Sequence, residues 1–440
     1  MPPPASEPAS EPASEPASSP APTARAALAI GEFRLYLLTT FALTTAMTLQ
    51  ATALGKFVFD LTRSEFMLGL TGLAEALPSI AVILFAGHFA DRRDRRGIVV
   101  WSTLALVVCS VAFWWIADSA PQPAAADKSA VEASAGLLFA VYGLIFVTGL
   151  ARGALQPART ALGTDIVPRE VLSAAIGLRT TFWQIGMVTG PLLGGVLYDV
   201  GGAPAAFAAD AVLVGVAYLA ATRLKRRPPP PRAADAEEPI FDSLRSGVHF
   251  VFSRKDLLGA LTLDLFAVLF GGATALLPKF AADILHVDDT GFGMLRAAQS
   301  VGAILCALVL IRGAAFRRAG RAMLLAVAAF GAATIGFALS ESFWLSCALL
   351  AAVGAADYVS VVVRHTLVQT RTPRAMLGRV SAVNSVFIGS SNEIGAFESG
   401  VAAALMGTVP SVVFGGCMSI AVVIAVALRF PELRKLGALK

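Results

Sequence analysis

The sequence predicts an all-α membrane protein: twelve transmembrane helices in two pseudo-symmetric six-helix bundles. Three observations predict it. The 440 residues are 56% hydrophobic and only 15% charged, with a mean hydropathy of +0.71. An ordinary soluble domain carries roughly 25% charge, and a soluble chain this apolar would expose wide, aggregating patches. The apolar residues lie in continuous runs of about the 20 residues that a spanning helix needs, without the alternation of an outer-membrane barrel. Finally, the basic residues and glycines of the first half recur in the second.

Residues 1–26 are a tandem Ala-Ser-Glu-Pro repeat with almost no apolar bulk and many prolines, which predicts a disordered tail. A basic start and an apolar core are both missing, so the tail does not read as a signal peptide. The first bundle, 27–224, holds spans near 34–60, 66–90, 97–117, 135–157, 171–198 and 203–222. Residues 225–256 are polar and proline-rich and read as a cytoplasmic linker, with an amphipathic stretch from Phe241 to Phe252 suited to a membrane surface. The second bundle, 257–440, holds spans near 257–281, 290–312, 320–339, 343–366, 376–407 and 410–429.

Lys and Arg set the orientation. Arg92, Arg93, Arg95 and Arg96, then Arg159 and Arg169, the linker, Arg312 to Arg321, and Arg371 to Arg379 fall in one set of loops. The alternate loops carry little beyond Arg63, Lys128 and Lys279. The first set and both termini are therefore expected in the cytoplasm. The net charge of +5 follows from this bias, so nucleic-acid binding is not expected. The repeat aligns Arg92, Arg93 and Arg96 with Arg317, Arg318 and Arg321, and Arg159, Pro168 and Arg169 with Arg364, Pro373 and Arg374. Parallel repeats of this kind place a solute site at their interface near the bilayer midplane.

Two motifs stand out. Gly87, Asp91, Arg92, Arg95 and Arg96 join spans 2 and 3. Gly87 would admit a close helix, and Asp91 would accept from Arg92 and Arg96, forming a cytoplasmic latch. Gly186, Gly190, Pro191, Gly194 and Gly195 in span 5 form a small-residue face for tight packing and a bend. The first motif resembles the signature of the major facilitator superfamily, and the second resembles that superfamily's antiporter motif, which implies export. Leu261–Pro278, Gly293–Ala303 and Ser391–Gly416 further resemble the enterobactin-exporter branch, whose more distant relatives include macrolide and other drug exporters.

Ionisable groups inside spans are costly and point to function. The candidates for proton coupling or substrate binding are Glu398 and Glu393 first, then Asp264 and Glu75. Asp357, Asp210 and Arg179 are also within spans, and Arg364 and Arg152 are the expected counter-charges. Structural ion pairing remains open for each acid, and Arg179 and Arg364 could instead reach toward the cytoplasm. Gln50, Asn384 and Asn392 could bond a polar solute; Phe266, Phe270, Phe387 and Trp183 could stack on an aromatic one. The chain has no phosphate-binding loop, no zinc motif, and four scattered histidines. Its four cysteines lack metal spacing. No cofactor, metal or enzymatic activity is expected.

The resulting expectation is a monomeric secondary exporter in the cytoplasmic (inner) membrane. It would drive a small amphipathic compound outward by proton antiport and alternating access, with lipid as its surroundings. The resemblance favours a catecholate siderophore, with multidrug or macrolide efflux as the alternative. A non-transporting membrane receptor is the reading from a different class.

Overall fold

The computed structural model describes residues 24–90, 94–120, 135–227, 240–271, 273–312, 318–373 and 376–437. Every described regular element is helical: α1 (Ala24–Ala29), α2 (Gly31–Thr62), α3 (Glu65–Ala90), α4 (Arg95–Ser119), α5 (Ala135–Ile166), α6 (Leu172–Thr222), α7 (Ile240–Ser253), α8 (Lys255–Phe270), α9 (Leu277–Lys279), α10 (Asp289–Arg312), α11 (Ala319–Ala338), α12 (Phe343–Arg371), α13 (Leu377–Met406), α14 (Thr408–Arg429) and α15 (Pro431–Arg434). Ten stretches among the described residues are long and apolar enough to cross a membrane. Trp101, Phe139 and Trp344 are 71%, 83% and 71% exposed, as expected of side chains that face lipid.

Several boundaries differ from the sequence expectation, each for a local reason. The N-terminal tail was expected to run to residue 26, but Ala24 to Ala26 belong to α1, anchored by the fully buried Ala27; residues 1–23 lie outside the described residues. The break expected between spans 171–198 and 203–222 is present within α6, where Gly201 and Gly202 leave helical geometry. Gly202 has φ +66° and ψ −167°, a conformation open essentially to glycine alone. The expected span 257–281 is discontinuous. It stops at Gly271, passes through a 3₁₀ turn at Ala273–Leu276 and the short α9, and ends in a π turn at Phe280–Ile284. Pro278 lacks the amide that would continue the ladder. Helices α5 and α12 also run past their expected ends. Arg159, expected in a loop, therefore lies inside α5 and is only 7% exposed.

The cores segregate along the chain. Tyr36, Phe33, Phe59, Phe113 and Phe207 are fully buried among the helices before residue 225, with Phe113 stacked on Phe207 at 5.4 Å between centroids. Phe280, Phe292 and Phe337 fill a core built from later residues. Residues 228–239 lie outside the described residues, but the entry to the linker is pinned. Glu32 accepts two bonds from Arg227 (2.7 and 2.9 Å) and one from the Lys225 amide (3.0 Å), and this carboxylate pushes the Arg227 guanidinium above its ordinary value.

The early and late helices meet along α3–α13 and α6–α10. On the first seam Gly69 lies against Gly400, so that a Cβ on Gly69 would stand 3.0 Å from the Gly400 Cα; Phe66 meets Phe397 edge-on at 6.0 Å. On the second, a Cβ on Gly293 would come 2.9 Å from the Gly195 Cα. Ion pairs edge both seams: Lys279–Glu65 at 2.8 Å and Lys56–Asp289 at 3.1 Å. Lys56 also holds Asp60 at 2.7 Å, and Thr290 donates to Asp199 at 3.1 Å. All these groups cluster at the end of the molecule marked by the α2–α3 turn. There Arg63 adopts a left-handed conformation, φ +49°, and His286 does the same after the first discontinuous span of the second half.

Candidate functional site

A chain of polar side chains runs through the interior beneath that closed end. Asp210 of α6 is 1% exposed and accepts from Gln50 Nε2 at 2.8 Å. Gln50 Oε1 accepts from Arg152 Nη2 at 2.7 Å, and Arg152 Nη1 is hydrogen-bonded to Glu75. Gly149, one turn before Arg152, lets α5 lie directly on α3, since any Cβ there would collide with the Glu75 carbonyl. The chain then crosses to the second half. Gly72, one turn before Glu75, sits under Glu393 of α13, where a Cβ would be 3.1 Å from Glu393 Oε2. The charges of Glu75, Arg152 and Arg296 all act on Glu393. Glu75, Arg152, Arg296 and Glu393, from α3, α5, α10 and α13, thus share one interior site, linked to Asp210 through Gln50, in which the guanidiniums offset acids that burial would otherwise make costly.

A second, separate pair lies in the second half. Arg364 of α12 and Asp264 of α8 are hydrogen-bonded, with side chains only 3% and 5% exposed. Arg364 therefore does not reach out to solvent. Asp357 and Ser360 line a small cleft beside Asp264.

The sequence-predicted residues thus divide. The structure brings Glu75, Arg152 and Glu393 together, and separately Asp264, Arg364 and Asp357. It leaves Glu398 apart. That carboxylate is half-buried, accepts from the Ser399 hydroxyl at 3.5 Å, and has no guanidinium partner among the described residues. Of the expected counter-charges to these acids, Arg152 is bonded to Glu75 and Arg364 to Asp264. Arg179 is distant from both groups of acids and lines a cleft with Arg159. Gln50 is used within the protein, and Asn392 donates to the Ile388 carbonyl. Sequence reasoning passed over Arg296, although its place within the apolar run 290–312 is the same signal that singled out Arg152.

In the expected latch motif, Asp91 and Arg92 lie outside the described residues, and Gly87 lies within α3. Arg95 holds Asp165 of α5 at 2.8 Å, and Arg96 is hydrogen-bonded to the Thr222 carbonyl closing α6. Both partners precede residue 227. These two bonds therefore lie within the first half. The glycine face of α6 behaves as a packing surface. Gly186, Gly190 and Gly194 accommodate Thr44, Thr45, Thr48 and Thr52 of α2, while Pro191 and Gly195 meet Gly293 of α10. The departure from helical geometry lies farther on, at Gly201–Gly202. No group of three or more potential metal ligands occurs among the described residues.

Comparison with known proteins accords with this architecture. The chain is 27% identical over 405 residues to the enterobactin exporter EntS of Citrobacter koseri, and equally to that of Shigella flexneri, with 92% of each chain covered. Among solved structures it is similar in fold to the nucleoside transporter NupG (TM-score 0.70, 12% identity, 91% of this chain and 100% of that one). It is also similar to an inward-facing bacterial homologue of the human lysosomal transporter Spinster (TM-score 0.65, 15% identity, 93% and 98%). The profile described as Major Facilitator Superfamily matches residues 36–396. With membrane-length helices, buried charges between its two halves, and a family match over most of its length, the chain belongs to the Major Facilitator Superfamily and is a multi-pass secondary transporter rather than an enzyme.

Proposed function

We propose that the protein is a proton-coupled exporter of a small amphipathic compound across the inner membrane, with a catecholate siderophore as the favoured solute. The observation that carries the coupling is the interior group Glu75, Arg152, Arg296 and Glu393, which spans both halves where α3 lies against Glu393 of α13. Burial disfavours charge on a carboxyl and a neighbouring guanidinium favours it. A carboxyl held between the two changes its proton occupancy when the halves shift and a guanidinium moves. Glu393 is the leading coupling residue on this reading, Glu75 its partner, and Asp264 with Asp357 a second proton-accepting pair. Glu398 keeps a role only as a more accessible acid on the same helix. The direction of transport and the solute rest on likeness to the enterobactin exporters and on the glycine face of α6.

The architecture proposed with this function counts α6 as two spans, broken at Gly201–Gly202, and α13 as another, giving twelve. The bundles are 27–224 and 257–440, joined by the 225–256 linker, with both termini cytoplasmic and the protein monomeric. The seams with Lys279–Glu65 and Lys56–Asp289 then lie on the outer side, so the described state opens inward, the state from which an exporter loads. Gly87, Asp91, Arg92, Arg95 and Arg96 would close the inner side in the opposite state.

The test uses inside-out vesicles energised to an acid interior and a pH-sensitive dye. Adding a catecholate siderophore should alkalinise the interior, and Glu393→Gln should abolish the response. Alkalinisation by macrolides or tetracyclines alone would replace the solute while keeping the coupling. No response to any class, or an undiminished response in both Glu393→Gln and Glu398→Gln, would sink the proton-antiport reading.

A further inference from the structure

The repeat pairs Arg159 with Arg364, yet the two arginines have opposite surroundings. Arg364 is neutralised by Asp264. Arg159 is also buried, 7% exposed against 2% for Arg364, but among the described residues its side-chain partner is the neutral Gln156, whose Oε1 accepts from Nη2 at 2.6 Å. Its Nη1 is buried without a hydrogen-bond partner. Another guanidinium, Arg179, lines the same cleft. An unpaired buried charge beside a like charge is strongly unfavourable. It persists in a folded protein when something else supplies the counter-charge for part of the working cycle.

The space for that counter-charge is present. Arg159 and Arg179 line a cleft of about 360 Å³ whose other walls include Tyr36, Thr40, Gln156 and Trp183. None of the residues lining it is acidic. Thr40 is 2% exposed and its hydroxyl, like Arg159 Nη1, has no hydrogen-bond partner. Two orphaned polar groups, one cationic, thus border the same volume. The position of Arg159 is rigid. The Tyr36 hydroxyl donates to its carbonyl at 3.1 Å, and α2 and α5 touch so closely that a Cβ at Gly163 would collide with that hydroxyl. Trp183 is 39% exposed and offers a broad aromatic surface at the mouth.

We infer that this cleft of α2, α5 and α6 is a binding site for an aromatic organic anion, with Arg159 and Arg179 on the anionic group, Thr40 as a further polar contact and Trp183 stacked on the ring. This deepens the export reading by naming a solute class and its subsite, and rests on that reading for the claim that the bound anion is transported. Arg159 is a binding residue, and the guanidinium plane suits a carboxylate or a paired oxygen donor better than a point charge would.

The test is calorimetric titration of the purified full chain in phosphatidylcholine nanodiscs with three matched probes: 2-naphthoate, its neutral isostere 2-naphthamide, and cyclohexanecarboxylate. The expected result is that 2-naphthoate binds at least about tenfold tighter than either of the others, the scale of one charge-assisted bond or one aromatic contact. Arg159→Gln and Arg179→Gln should each weaken it about tenfold or more, and Arg159→Lys less. A merely structural arginine would behave differently, since its loss would lower the melting temperature; Arg159→Gln should leave it unchanged or raise it. Equal affinity for naphthoate and naphthamide, no measurable naphthoate binding, or full binding in both Gln variants would overturn the inference. Equal affinity for cyclohexanecarboxylate would overturn its aromatic part. Arg159-dependent binding without flux in vesicles would instead remove the export reading and leave the site standing. Flux that both Gln variants sustain would remove the site and leave the exporter.

Discussion

The interior acids and arginines are not equivalent, and their partners say what each substitution should do. Asp264→Asn strands the Arg364 guanidinium in a site from which solvent is excluded. We expect a loss of about 3–5 kcal/mol in stability, read as a lowered melting temperature in detergent, and recovery of most of it in Asp264→Asn/Arg364→Gln. A single variant as stable as the parent would show that the pair carries no such burden. Glu75→Gln should cost less, about 2 kcal/mol, because Glu75 and Arg152 retain 25% and 14% side-chain exposure and Gln50 still holds Arg152. The sequence made these groups visible because an ionisable residue in an apolar run is conspicuous. It could not say which acid meets which base, since Glu75 and Arg152, or Asp264 and Arg364, are adjacent only after the helices are stacked. Arg159 shows the converse. Its neighbours in sequence read as a loop, and its burial depends on α5 continuing to Ile166.

At the level of helices, the glycine face of α6 sets how near α2 can lie. A methyl at Gly190 would coincide with the Thr48 hydroxyl, while Gly215 on the same helix has nothing within 4 Å of its Cβ position. Gly190→Ala should therefore destabilise by about 1–3 kcal/mol, and Gly215→Ala should be neutral or stabilise by up to about 1 kcal/mol. Thermal melts of both variants check this, and equal behaviour would contradict the packing described. Helix positions were legible to within a few residues because long apolar runs bounded by arginines leave little choice. The break at Gly201–Gly202 was legible as the gap between the expected spans 171–198 and 203–222, whereas the interruption at Gly271 was not. A glycine pair is compatible with a continuous helix, and which pair breaks depends on the neighbours that fill the kink.

Across the whole molecule, the halves meet at one end, and that arrangement can be trapped. Gly69→Cys/Gly400→Cys should form a disulfide under mild oxidation, halt flux, and release it on reduction; failure to cross-link in the absence of solute would mean that the outer seam does not rest closed. With the proposed orientation, raising external salt should also favour opening, because Lys279–Glu65 and Lys56–Asp289 would lie where ions screen them, and faster cysteine labelling at Gly293→Cys would register it. The relation between halves was only partly legible in the sequence. The repeat predicted two like units, but repeats carry no information about which end is shut.

The closed seams also have a consequence for how easily they part. Along both seams glycines lie against neighbouring backbone, Gly69 and Gly400 on one and Gly195 and Gly293 on the other. Parting at these points wets little greasy surface and leaves chiefly the edging ion pairs to exchange partners, so the two access states can lie near one another in free energy. A carrier has to visit both many times, and a seam knitted from large interlocking side chains would make one of them a trap.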